Sequence, residues 1–116
     1  MATKVVSFGY KHGDHPDGNG LQIDVRPILR RNPYHNKRLR GLRGTDPEVR
    51  ADIERTPDLE SAYRRILDRV RAYPGPVYVG CTGGHHRSVY LADRIGRELM
   101  IPVEHRDLLK GENNGH

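Results

Sequence analysis

Apolar residues along the chain form short blocks that alternate with polar, glycine-rich stretches. Lys4–Tyr10 (KVVSFGY) combines β-branched and aromatic residues, and Leu21–Val25 (LQIDV) alternates apolar and polar positions, so both are predicted to be β-strands. Between them, His12–Gly20 is rich in Gly, Asp, Asn and Pro, which predicts a loop. Val77–Gly80 and Val103–Arg106 are predicted to be the third and fourth strands.

Other apolar positions recur at helical spacing. A long helix is predicted over Thr56–Tyr73, and a third helix over Arg87–Met100. A shorter helix is predicted over Pro47–Arg55, with Thr45 or Asp46 as its N-cap. Strands that alternate with helices predict an α/β fold: a single-domain three-layer sandwich around a mostly parallel or mixed sheet of about four strands.

The length of 116 residues suits one ordinary domain, predicted over residues 1–110, with a disordered tail over 111–116. No apolar run is long enough to span a bilayer, and the N-terminus carries no signal-peptide pattern. The single cysteine rules out a disulfide within one chain and suits a reducing compartment. A cytoplasmic location is therefore expected.

Positive charge is concentrated in one stretch. Residues Arg26–Arg43, called the basic segment below, hold seven Lys or Arg and no acid, whereas the rest of the chain holds 13 bases and 15 acids. Such a segment is either a solvated loop or a contact surface for anions or nucleic acid. The candidates for RNA contact are Arg30, Arg31, Lys37, Arg38, Arg40 and Arg43.

The clearest chemical signal lies between the third strand and the third helix, in Gly80–Ser88 (GCTGGHHRS). Adjacent glycines allow successive backbone N–H groups to point inward, and the start of the following helix adds its positive dipole end. Arginine, histidine and hydroxyl side chains add further donors suited to phosphate oxygens. The predicted phosphate-binding residues here are Cys81, Thr82, Gly83, Gly84, His85, His86, Arg87 and Ser88.

The same residues also match a second sequence motif. Cys81 and Arg87 have the C-x5-R spacing of Cys-dependent phosphatases, in which a cysteine thiolate attacks phosphorus. The histidine that usually precedes the cysteine is Gly80 here, and a general acid must come from another loop. The candidates for that acid are Asp14, Asp17 and Asp46.

A metal-binding site is a third hypothesis that the sequence raises. His12, Asp14 and His15 lie close together in sequence, but without a standard ligand spacing, and Cys81 has no partner cysteine. No metal and no cofactor are therefore predicted.

Several sequence blocks resemble, in order, the C-terminal domain of the RapZ-type RNase adaptor family. The resemblance covers about Val5 to Leu109 and rests on a set of blocks that is specific when taken together. These are Ser7–Gly13, Asp24–Arg26, Asn32-Pro33, Leu39-Arg40, Gly44–Asp46, Val49, Gly80–Val89 (with CTGG-x-HRSV) and His105–Leu108 (HRDL).

The resemblance implies an α/β fold likened to a phosphofructokinase subdomain, and self-association into a homo-oligomer. It also implies binding of an amino-sugar phosphate, glucosamine-6-phosphate, and contact with a small RNA and an RNase. On this basis the loop residues would form a phosphate pocket that strand-end residues complete. Those residues are Ser7, Gly9, Lys11, Asp24 and Arg26, with His105 and Arg106 also near.

Two family features have no counterpart in the sequence. Full-length relatives carry an N-terminal P-loop domain that these 116 residues do not include, so ATP or GTP binding of the kind that such a domain performs is not expected of them. The basic tail that follows HRDL in the family is replaced by Leu109–Glu112 and neutral residues. RNA binding would then depend on the basic segment, where Tyr34 alone offers base stacking.

We therefore expect a non-catalytic binding or sensor module for a phosphorylated small molecule, either a sugar phosphate or a nucleotide, with a regulatory role. The alternatives are an RNA-binding adaptor that uses the basic segment and a phosphatase that uses Cys81 and Arg87.

Overall fold

Four short strands form one parallel sheet in the order β2-β3-β1-β4. The computed structural model describes residues 1–13 and 20–109. The strands are β1 (Lys4–Gly9), β2 (Leu21–Asp24), β3 (Pro76–Cys81) and β4 (Val103–His105). Each lies within one or two residues of its predicted bounds, and all four pair in parallel, so the α/β class with a parallel four-stranded sheet is confirmed.

In the part of the chain that the structure describes, three helices connect the strands. They are α1 (Pro47–Ile53), α2 (Leu59–Ala72) and α3 (Arg87–Leu99), with single 3-10 turns at Tyr10–His12 and Pro33–His35. Asp46 caps α1 as expected, since its side chain accepts the N–H of Glu48 at 2.9 Å.

The predicted start of α2 at Thr56-Pro57 is wrong by two or three residues. Asp58 adopts a left-handed conformation (φ 59°) and serves as the N-cap, so the helix begins at Leu59. Residues 54–58 instead form a turn, in which the Thr56 N–H donates to the Ile53 carbonyl.

All three helices bury their apolar residues in one core, against the sheet face that carries Val5, Ile23, Val77 and Val79. The opposite face carries a small cluster of Val6, Phe8, Tyr78 and Tyr10. Within the described residues, the domain therefore has one helical layer on the sheet rather than the two that a three-layer sandwich requires.

The handedness of the connections between strands explains why the helices lie on one face of the sheet. The connections from β2 to β3 and from β3 to β4 run in the same direction across the sheet, so right-handed crossovers place their helices on the same face. The connection from β1 to β2 runs in the other direction, and its described residues contain only the turn Tyr10–His12.

The strand register gathers the predicted functional residues at one edge. Gly9 lies opposite Cys81, and Asp24 lies opposite Gly80, so the carboxyl ends of β1, β2 and β3 meet. Ligands of open parallel sheets bind at this edge.

Two predicted features, the tail 111–116 and the loop positions Asp14, His15 and Asp17, lie outside the described residues. None of the described helices is both long and apolar enough to cross a membrane.

Candidate phosphate-binding site

The loop between β3 and α3, residues 81–87 and called the site loop below, is pressed against the end of β1. A Cβ atom on Gly9 would lie 2.6 Å from the Gly84 nitrogen, so only glycine allows this approach. Gly84 itself has a positive φ of 76°, which favours glycine. The Lys11 N–H donates to the Thr82 carbonyl at 3.1 Å, which ties the loop to the chain that follows β1.

Asp107 holds the other side of this junction. Its buried carboxylate accepts the Gly9 N–H at 2.8 Å and also accepts from the Arg106 guanidinium. Its main-chain carbonyl lies 3.0 Å from His85 Nε2, which must carry the hydrogen because a carbonyl only accepts. The loop is thus fixed by hydrogen bonds before any ligand arrives.

A small pocket opens above the loop. Its free volume is about 20 Å³, room for roughly one oxygen-sized group. The lining residues are Cys81, Thr82, Gly83, His85, His86 and Arg87 from the loop, together with Asn32 and Tyr34 from the basic segment.

Arg87 is the unusual side chain of this pocket. It is 5 % exposed, and Nη1 donates to the Leu29 carbonyl at 3.1 Å, its only hydrogen bond within residues 1–13 and 20–109. Burial lowers the pKa of its guanidinium, because removal from water disfavours the charged form. An anion that accepts the remaining N–H groups would offset that cost.

The start of α3 also lacks neutralising groups. Its first turn contains no acidic residue, and the His86 N-cap makes no side-chain capping bond to the residues that the structure describes. The free N–H groups and the positive dipole end therefore face the loop.

Cys81 lies at the base of the pocket. Its thiol donates to Ser88 Oγ at 3.1 Å, and its sulfur accepts the Gly84 N–H at 3.3 Å. Ser88 and Gly84, both predicted phosphate donors, thus contact the sulfur in this structure.

The two histidines were expected to donate hydrogen bonds or carry charge near neutral pH. His86 is buried, and Nε2 lies 2.6 Å from the Leu42 carbonyl. Its burial lowers the pKa of the imidazole, so His86 is neutral at pH 7 and contributes no charge to the pocket.

Asp24 and Arg26 flank the site loop rather than line its pocket. Arg26 donates to both Asp24 carboxylate oxygens, at 2.9 and 2.8 Å, and lies 4.1 Å above the Tyr10 ring. The Arg26 hydrogen bond lowers the pKa of Asp24. The Arg26 charge adds to the effect of burial in lowering the pKa of Arg87.

Ser7 and His105 are drawn into a different network. The fully buried Ser7 Oγ lies 2.6 Å from His105 Nδ1, and His105 Nε2 lies 2.9 Å from an Asp93 oxygen on α3. Arg106 donates to Asp107 and to the Gly13 carbonyl. These three predicted residues brace β1, β4 and α3 and do not line the pocket.

The basic segment proves to be mostly paired. Arg31 donates to Asp52 at 2.6 Å, and Arg38 pairs with Glu48. Arg26 pairs with Asp24 as described above, and main-chain carbonyls accept from Arg40 (the Tyr34 carbonyl) and Arg43 (the Leu108 carbonyl).

Two residues that line the pocket, Asn32 and Tyr34, were not among the predicted site residues. Asn32 accepts the Tyr34 N–H at 3.1 Å and so caps the 3-10 turn that places both over the loop. Asn32-Pro33 is a turn signature and belongs to the family resemblance, but with Tyr34 it lies about 50 positions from the loop in sequence. Asp107 was missed in the same way, although it belongs to the HRDL block.

The fold and this geometry define an α/β domain with a glycine-rich strand–loop–helix site at the carboxyl edge of a parallel sheet. The family model of the RapZ C-terminal domain matches residues 1–109, so the chain belongs to this family. The resemblance seen in the sequence is thereby confirmed.

The chain is similar to longer bacterial relatives, each called a nucleotide-binding protein. It is 41 % identical to one from Azotobacter vinelandii, over 92 % of this chain and 42 % of the relative. It is 36 % identical to relatives from Synechococcus sp. (strain JA-3-3Ab) and Deinococcus radiodurans, over 97 % and 96 % of this chain and 40 % and 44 % of theirs. The chain thus spans about two-fifths of the length of these relatives.

Proposed function

We propose that the chain is a non-catalytic binding module for a phosphorylated small molecule, held at the site loop. The observation that carries this proposal is Arg87: a buried guanidinium at an uncapped helix start, with one hydrogen bond in the described part of the chain. A phosphate supplies the acceptors and the negative charge that this arrangement favours.

The size of the pocket suggests how a phosphate would bind. A free volume of about 20 Å³ admits one phosphate oxygen between Arg87 and the backbone of the loop. The rest of the ligand then lies at the mouth, beside Asn32 and Tyr34. Side chains at the mouth would shift modestly, as is common on binding.

Two ligand classes fit this mode. The name of the relatives favours a nucleotide, although it describes much longer proteins. The family resemblance favours a sugar phosphate such as glucosamine-6-phosphate. Tyr34 separates the two, because a base would stack on its ring: Tyr34→Leu should weaken nucleotide binding more than sugar-phosphate binding.

Thermal unfolding with matched ligand pairs tests the proposal. Glucose 6-phosphate and glucosamine 6-phosphate are compared with glucose and glucosamine, and AMP with adenosine. At a hundredfold excess over its dissociation constant, a ligand that binds should stabilise the chain by about 2.7 kcal/mol. Stabilisation by at least one phosphate ester and not by its unphosphorylated partner supports the proposal, and equal responses within every pair refute it.

The Cys81 geometry favours a second candidate, phosphatase activity. The sulfur lines the pocket, accepts the Gly84 N–H and lies 3.1 Å from Ser88 Oγ, so it stands where a nucleophile would meet a bound phosphate. Asp46, one predicted general acid, instead caps α1. Turnover of p-nitrophenyl phosphate that disappears in Cys81→Ser would support this candidate, and no turnover by the wild-type chain would exclude it.

Contact of the basic segment with RNA, an RNase partner and self-association stay predictions. The pairing of Arg31 and Arg38 with acids weighs against the first of these.

A further inference from the structure

A second cavity, of about 460 Å³, lies between the chain after β2 and the start of α2. The segment 27–30 takes part in both sites, since the Leu29 carbonyl accepts from Arg87 while its neighbours line this cavity. The residues that matter here are Ile28, Arg30, Thr56, Asp58, Ala62 and Arg65.

Thr56 supplies the first sign of a ligand. The residue is 6 % exposed, and its Oγ1 is buried without a hydrogen-bond partner among residues 1–13 and 20–109. A buried hydroxyl left unpaired is unfavourable, and natural proteins rarely tolerate one. Thr56 lines the cavity, so a rotation of its side chain would let the hydroxyl donate to an oxyanion bound there.

The start of α2 supplies the second sign. The helix is 14 residues long, and its N-cap Asp58 makes no side-chain capping bond within the described chain. The Leu59 N–H donates to the Thr56 carbonyl at 3.3 Å, whereas the N–H groups of Glu60 and Ser61 have no partner among the described residues and lie at the positive end of the helix dipole. Glu60 is the one acidic residue of that turn, and its Oε1 atom forms an ion pair with Nη2 of Arg94 on α3 at 2.5 Å.

The charged groups of the lining are two arginines and one aspartate. Arg30 is exposed and makes no hydrogen bond or ion pair to the described residues, and Arg65 donates to Ser61 Oγ at 3.2 Å. Asp58 opposes them, but the guanidinium groups outnumber it.

We propose that this cavity is a second anion site, which takes a compact oxyanion such as a phosphate group. The Thr56 hydroxyl and the open N–H groups of α2 bind the anion, and Arg30 and Arg65 neutralise it. The site is separate from the site loop and does not depend on the function proposed for that loop.

Titration of the ¹⁵N-labelled chain with inorganic phosphate, at constant ionic strength, tests this proposal. The amides of Glu60 and Ser61 should shift and saturate. The dissociation constant read from these two amides should rise at least fivefold in Arg65→Gln and in Thr56→Val, with dispersed spectra showing that both variants fold. Arg64→Gln is the matched control, an exposed arginine next to Arg65 that does not line the cavity, and should leave the constant within twofold.

Three outcomes overturn the proposal. The first is the absence of a saturating shift at Glu60 and Ser61, and the second is an equal loss of affinity in Arg64→Gln. The third is a shift at these amides that disappears in Arg87→Gln, because phosphate would then bind only at the site loop. Shifts at residues 81–87 report on that loop separately, so failure of one site leaves the other testable.

Discussion

The site loop and the basic segment are both suited to anions in sequence, but they differ in what their charges do in the structure. The loop has a single arginine, which is buried and hydrogen-bonded once within the described residues. The basic segment has seven bases, and Arg31 and Arg38 already pair with acids of α1. The comparison teaches that the availability of donors, rather than the number of charges, marks an anion site.

The energetic reason is desolvation. An exposed ion pair such as Arg38–Glu48 is stabilising by at most about 1 kcal/mol. A buried charge with few partners is costly, and a ligand that pairs with it recovers much more. The basic segment also supplies a control variant to compare with each variant of the site loop or of the strand that contacts it.

The largest expected effect concerns the close approach of β1 to the loop. Gly9→Ala places a methyl group against the Gly83–Gly84 backbone, which cannot move aside without breaking the Asp107 clamp. The free energy of unfolding should fall by about 1–3 kcal/mol in urea denaturation. Gly41→Ala in the basic segment meets no atom within 4 Å and should change stability little. Equal effects of the two variants would contradict the role given to this junction.

The next effect depends on pH. Burial lowers the pKa of His86, so the folded chain keeps it neutral while the unfolded chain protonates below about pH 6.5. Unfolding then takes up a proton, and stability should fall as the pH drops below about 6.5 towards the lowered pKa. The slope for this group is at most about 1.4 kcal/mol per pH unit, and above pH 6.5 it makes no contribution.

Denaturation at several pH values checks this prediction. His86→Gln should flatten the acid side of the stability profile. His35→Gln, an exposed histidine of the basic segment, should not. A profile that keeps its slope in His86→Gln would show that another group carries it.

The smallest expected effect tests whether ion pairing with acids of α1 prevents the basic segment from binding RNA. Glu48→Gln and Asp52→Asn remove the acids that hold Arg38 and Arg31. If RNA binds this segment, the double variant should bind more tightly, with the salt slope steeper by about 0.7 for each base released onto a single strand. Unchanged binding and slope, measured by fluorescence anisotropy, would mean that these bases do not contact RNA.

Much of the fold could be predicted from local signals. Asp46-Pro47 set the start of α1, and β-branched runs set the strands. The layering could not, because it depends on strand order: the connections β2 to β3 and β3 to β4 run in the same direction across the sheet, which puts α1, α2 and α3 on one face.

The site was predictable only in its contiguous part. The residues of the site loop are adjacent in sequence, whereas Asn32, Tyr34 and Asp107 reach it through tertiary contacts. Ser7 and His105 illustrate the opposite failure. Ser7 lies within β1 and His105 ends β4, and the pairing of these strands joins the two residues to each other and to Asp93 instead of to the pocket.

Calorimetric titration of a phosphate ester against three chains tests the central claim most directly. The ester is one that stabilises the wild-type chain, and the chains are the wild type, Arg87→Gln and Arg38→Gln. Loss of a charged hydrogen-bonding partner costs about 1.5–3 kcal/mol, so Arg87→Gln should raise the dissociation constant roughly tenfold to hundredfold. Arg38→Gln should stay within twofold of the wild type. Equal affinities of the Arg87→Gln and wild-type chains, or an equal loss in both variants, would contradict the account.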